Sequence, residues 1–133
     1  MDVASQHFRR KDMYTGILTD HGNEFHYTNG YRHRIHGPAM SYSTGRLEWW
    51  HMGLRHRDDG PAIVTLVGRK EWWQNGGRHR VTGPAIIVPG VEDAYYLFDT
   101  RVNKDDTLLN IYRQRALNEI TEEEFVFLLL KHS

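Results

Sequence analysis

The sequence predicts a mainly β protein: an antiparallel β-hairpin repeat meander with a 23-residue period, followed by a C-terminal α-helical hairpin. Three observations predict it. Gly37-Pro38-Ala39, Gly60-Pro61-Ala62 and Gly83-Pro84-Ala85 recur at a constant step of 23 residues, and a fixed period of this size signals a repeat architecture. Asn29-Gly30 and Asn75-Gly76, with Met52-Gly53 between them, sit amid aromatic and polar runs. Asn-Gly in that setting is the strongest short-range hairpin signal, because both turn positions take positive φ. From Asp105 onward the apolar spacing becomes helical.

Each element follows from its residues. The step of 23 also relates His33, His56 and His79, Arg34, Arg57 and Arg80, and Trp49-Trp50, Trp72-Trp73 and Tyr95-Tyr96. Tryptophan, tyrosine, isoleucine and valine around the turns favour strands. Gly-Pro then marks a bend, since proline cannot donate to a sheet ladder and suits a strand's first residue. Ala62 to Leu66 is expected to form a return strand, with Gly68 turning the chain into the next unit. Residues 1–103 therefore form the hairpin array, with its core repeats at about 22–103, and residues 104–133 a helical cap or dimerisation hairpin.

In the C-terminal part, Asp105-Asp106-Thr107 should cap a first helix and oppose its dipole. Leu108, Ile111, Tyr112 and Ala116 give that helix an apolar stripe. Asn118-Glu119-Ile120 links it to a second helix, where Thr121 and Glu124 match a capping box. Phe125 to Leu130 makes the second helix apolar nearly all round, which predicts that much of it is buried.

Composition narrows the function classes. Lysine plus arginine total 17 and aspartate plus glutamate total 17, so net charge favours no partner. Residues 41–90 hold seven basic and four acidic side chains, and residues 91–133 five and nine. That asymmetry falls short of the strongly basic stripe of a nucleic-acid binder. The chain has no cysteine, which removes disulfides, thiolate nucleophiles and cysteine-held zinc together and suits a reducing cytoplasm. Met1 to Lys11 lacks the apolar run of a secretory leader, and Phe125 to Leu130 is far short of the ~20 residues that span a membrane. The expectation is a cytoplasmic protein, in the host cytoplasm if viral, with no membrane contact.

A two-residue turn at Asn75-Gly76 places Trp73 opposite Arg78. The same register gives Trp50–Arg55, Tyr27–Arg32 and Tyr96–Arg101. Directly opposed residues share a sheet face, so one face should carry a ladder of second aromatics with arginines. The other face should carry Trp49–His56, Trp72–His79 and His26–His33. Glu48–Arg57 and Glu71–Arg80 also fall opposite each other and read as cross-strand charge pairs. The aromatic–arginine ladder stiffens hairpins through cation–π stacking. If exposed, it is also a recognition surface, since these residue types are enriched in interface hot spots.

Other chemistry finds little support. Equivalent histidines lie two strands apart, ~9–10 Å, whereas zinc ligands all sit ~2 Å from one ion. His33, His56 and His79 thus cannot share a metal, and they are expected to pack beside tryptophan with a ring nitrogen bonded to backbone. His26, His33 and His36 are the only local cluster. No serine, threonine or lysine is placed beside a base, and no Walker-type phosphate loop is present. Neither a catalytic residue, a metal nor a cofactor is expected.

The pattern aromatic-x-Asn-Gly-x-x-His-x-x-x-Gly-x-Ala resembles a MORN repeat in a His-Arg-x-x-Gly-Pro-Ala variant. The resemblance covers roughly residues 22–103, with degenerate units at Gly16 to Tyr27 and Tyr95 to Asn103, as terminal repeats tend to be. It implies an elongated hairpin array used for protein or ligand contacts and, for a phage-borne chain, inhibition of a host protein. It implies no reaction. The Ile120-Thr121-Glu122-Glu123-Glu124-Phe125 stretch resembles the short helical hairpin called SHOCT. It is expected to cap the open sheet end and to pair with a second copy as a homodimer. The sequence therefore ranks a non-enzymatic scaffold binding another protein first. Capture of a nucleotide, another anionic small molecule or nucleic acid comes second, and a structural component third.

Overall fold

The computed structural model describes residues 13–133, so the reading of Met1 to Lys11 lies outside the described residues. The protein is mainly antiparallel β, followed by a C-terminal helix pair. Its larger sheet contains β1 (Gly16–Asp20), β2 (Asn23–Thr28), β4 (Met40–Ser41), β5 (Leu47–Glu48), β8 (Ile63–Val64), β9 (Lys70–Glu71) and β12 (Ile86–Ile87), in that spatial order, with β3 (Tyr31–Arg32) paired to β2. Three separate hairpins stand beside it: β6 (Trp50–His51) with β7 (Leu54–Arg55), β10 (Trp73–Gln74) with β11 (Gly77–Arg78), and β13 (Tyr95–Leu97) with β14 (Thr100–Val102).

The chain leaves the large sheet at Trp49 and Trp72, the single residues between β5 and β6 and between β9 and β10. It then turns tightly. Asn29, Met52 and Asn75 have φ of 49°, 44° and 47°, each followed by a glycine at 80–86°, so both turn residues are left-handed as a type I′ hairpin requires. Phe98 (49°) and Asp99 (66°) take the same conformation without glycine. Each hairpin is stitched to the one before it: Gly53 N–H donates to Arg32 O at 2.9 Å, Gly76 N–H to Arg55 O at 2.9 Å and Asp99 N–H to Arg78 O at 2.8 Å.

Ala39, Ala62 and Ala85 are fully buried, with Met40 and Ile63 beside them. Ala62 shows why this position is small. Its N–H donates to Glu71 O and its carbonyl accepts from Trp49 N–H, both at 2.7 Å, so it is clamped between two strands. In contrast to the sequence reading, Leu66 is not in a return strand. The strand stops at Val64, Thr65 O closes the turn by accepting from Gly68 N–H at 3.1 Å, and Leu66 is 82% exposed.

Helix α1 (Thr107–Ala116) starts where predicted, with Asp106 accepting from Leu109 N–H at 3.0 Å. Its buried residues are Leu109 and Ile111, while Ala116 is exposed, so the inward stripe is rotated from the predicted one. Helix α2 (Glu122–His132) carries both bonds of the Thr121–Glu124 capping box. It does not bury its apolar run: none of its residues is buried. The hairpin packs instead through a chain of edge-on rings, Phe98–Tyr112 and Tyr112–Phe125, each with centroids 5.4 Å apart. No helix of the described residues is long and apolar enough to cross a membrane.

Candidate functional site: an aromatic–arginine column

The type I′ turns fix the register, and the register fixes the site. Tyr27 pairs with Arg32, Trp50 with Arg55, Trp73 with Arg78 and Tyr96 with Arg101 across their hairpins. The opposed first aromatics and histidines are found too: the N–H groups of His33, His56 and His79 donate to the carbonyls of His26, Trp49 and Trp72, all at 3.1 Å.

Stitching successive hairpins turns separate pairs into one stack. Arg32 lies 4.8 Å from the Trp50 ring centroid, Arg55 lies 5.0 Å from Trp50 and 5.1 Å from Trp73, and Arg78 lies 5.9 Å from Trp73 and 4.3 Å from Tyr96. Six predicted residues thus form an alternating column, Arg32–Trp50–Arg55–Trp73–Arg78–Tyr96. Each interior guanidinium bridges its own hairpin and the next. Tyr27 and Arg101 flank it: Tyr27 meets Tyr14 edge-on at 6.3 Å, and Arg101 lines a shallow cleft with Glu92, Asp93, Asp105 and Asp106. Arg32 and Arg101 are exposed and the others half-buried.

Buried carboxylates set the indole orientation. Glu48 and Glu71 are 4% and 6% exposed. Glu48 accepts from Trp50 Nε1 at 2.9 Å and from Arg46 Nε at 2.6 Å; Glu71 accepts from Trp73 Nε1 at 2.9 Å and from Arg69 Nε. These contacts correct the expected Glu48–Arg57 and Glu71–Arg80 pairs. Residues i and i+2 share a strand face, so each glutamate lies beside its own strand's arginine and tryptophan.

The freed Arg57 and Arg80 build a second series that sequence reasoning missed. They stack on Trp49 and Trp72 at 3.8 Å, and with Arg34 they donate to the carbonyls of Pro61, Pro84 and Pro38 at 3.0–3.3 Å. A Cβ at Gly60 would lie 3.0 Å from Arg57 Cζ, so the Gly-Pro-Ala glycine leaves room for a guanidinium. Burial lowers the Arg80 pKa, against a smaller opposing effect of Tyr95. The signal was present in the sequence: arginine three residues before each Gly-Pro.

The column's arginines differ in their partners. Arg78 Nε donates to Asp99 at 2.8 Å, which with its Coulombic attraction raises the Arg78 pKa and lowers that of Asp99. Among the described residues, Arg55 Nε is buried without a hydrogen-bond partner.

The histidines act as seams between units. Nδ1 of His33, His56 and His79 accepts from the N–H of Met52, Asn75 and Phe98 at 3.0, 3.0 and 2.9 Å. Thr15 Oγ1 does the same for Asn29 N–H at 2.8 Å. Burial lowers the pKa of His33, with a further contribution from His51, and that of His79. Among the described residues no three acidic or histidine side chains are grouped to hold a metal ion. No protein-family model matches the chain, and no curated protein or solved structure matches it.

Proposed function

We propose that the chain is a non-enzymatic, MORN-like binding module of the cytoplasm whose aromatic–arginine face contacts another protein. The column of stacked arginines and indoles is the observation that carries this reading. It holds residue types that dominate interface hot spots in a geometry already fixed by Glu48 and Glu71, and such preorganisation lowers the entropic cost of binding. Its guanidinium edges suit carboxylates or carbonyls of the partner. Inhibition of a host protein is the corresponding role if a phage encodes the chain. The C-terminal helices offer a second surface, for another copy of this chain.

Nucleotide or nucleic-acid capture ranks lower for a geometric reason. Base binding on aromatic platforms needs a free ring face, whereas Trp50 already carries the guanidiniums of Arg32 and Arg55, and Trp73 those of Arg55 and Arg78.

The test is to purify the bound partner from the native cell, then measure its affinity for the Arg32→Ala variant by calorimetry. Arg32 is exposed at the column's end, so the fold should tolerate its loss while binding weakens about tenfold or more. Unchanged affinity would remove this face from the interaction. A recovered nucleotide with no protein would promote the second reading.

A further inference from the structure

Helix α2 combines an apolar surface with charges that match their own reflection. Val126, Phe127 and Leu130 are 45%, 62% and 71% exposed, and no residue of the helix is buried. Monomeric proteins rarely leave such contiguous apolar surface open. The charges are unequally used. Glu122 pairs with Arg115 at 2.9 Å, and Glu124 accepts from Thr121 N–H at 2.8 Å within the capping box. Glu123 and Lys131 are exposed and make no ion pair with any described residue.

Phe127 is the midpoint of Glu122–His132, and Glu123 and Lys131 lie four residues to either side. Residues at i, i+4 and i+8 share one helix face, so this face reads acidic, aromatic, basic along its length. A two-fold interface brings the same patch of two copies together in opposite directions. With the axis at Phe127, Glu123 of each copy meets Lys131 of the other, and the two Phe127 rings meet at the centre.

We infer that α2 pairs antiparallel with α2 of a second copy, about a two-fold axis at Phe127, with two Glu123–Lys131 ion pairs closing its ends. This deepens the self-association reading above and is independent of the aromatic–arginine column. A foreign apolar helix would also cover Phe127 and Leu130, but only a second copy accounts for the symmetric placement of two charges that no described residue pairs with.

Sedimentation equilibrium of the full chain at about 50 µM, a concentration that populates a micromolar dimer, should return twice the 15.7 kDa chain mass. Phe127→Glu, at an exposed position, should keep the circular dichroism spectrum and weaken association by about tenfold or more. Glu123→Lys alone and Lys131→Glu alone should each weaken the dimer, and the double exchange should restore it. That rescue separates the inference from helix-dipole effects, under which the double exchange would be the worst of the three. A monomeric wild type overturns both self-association and this geometry. A dimer indifferent to Phe127→Glu, or one not rescued by the double exchange, overturns the α2 geometry alone.

Discussion

A carboxylate buried as deeply as Glu48 is unfavourable unless its charge and lone pairs are matched. Glu48 meets both needs, with an indole N–H on one oxygen and the Arg46 guanidinium on the other. The terminal units show the logic by omission. Where the second aromatic is Tyr27 or Tyr96, the positions of the arginine and glutamate hold Asn23 and Phe25, or Glu92 and Ala94; a ring without an indole N–H needs no buried acceptor. Glu48→Ala should therefore destabilise the protein by about 2 kcal/mol, through the stranded indole N–H and the unpaired, partly solvated Arg46. In a Trp50→Tyr background the same change should cost about 1 kcal/mol less, a coupling measurable by urea unfolding of the four-member cycle. Equal costs in both backgrounds would show that the carboxylate does not serve the indole. The Arg-x-Glu-x-Trp spacing was visible in both inner units. Opposition across the hairpin does not reveal it; alternation along one strand face does, and it gives Glu48 and Glu71 to Arg46 and Arg69.

Among the elements, legibility followed how local the physics is. Hairpin register needs only the two turn residues, and all four aromatic–arginine pairs lie where Asn-Gly or its counterpart places them. Helix caps are equally local, and Asp106 and Thr121 behave as expected. Burial of a helix is not local. The apolar run of α2 says that something should cover it, but not whether that is this chain's own sheet. Phe98 shows a conflict between local and tertiary demands. Its φ of 49° suits asparagine or glycine, yet its ring is the link between the last hairpin and Tyr112. Phe98→Asn should relax the turn while releasing the helices, because one aromatic pair contributes about 0.5–1.5 kcal/mol. Amide exchange across 107–132 should quicken by about tenfold, with the β-hairpin amides of residues 50–78 little changed. Uniform quickening along the whole chain would instead mean that the helices and the array open as one unit.

Among the described residues, the seams that join successive hairpins include backbone bonds, the aromatic–arginine column and the histidine Nδ1 bonds. Hairpins held chiefly by their neighbours draw their stability from those interfaces, so a change common to several seams acts on the entire fold. Protonation is such a change. His33 and His79 each accept a backbone N–H at Nδ1, and a proton on that atom replaces an acceptor with a second donor. Burial lowers both pKa values from the ordinary 6.5. The native state therefore binds fewer protons than the unfolded chain, and stability rises with pH. The contribution is complete above about pH 6.5, the unfolded value, and is lost as pH falls through the lowered folded values. The melting temperature should drop between about pH 7.5 and pH 5.5, a window well above the range in which Asp99, with its lowered pKa, titrates. A His33→Asn/His79→Asn variant keeps an acceptor oxygen near each Nδ1 position and cannot titrate there, so its melting temperature should fall less over the same interval. If the variant and the wild type lose stability in parallel, the pH dependence arises elsewhere and the histidines are seams of packing alone.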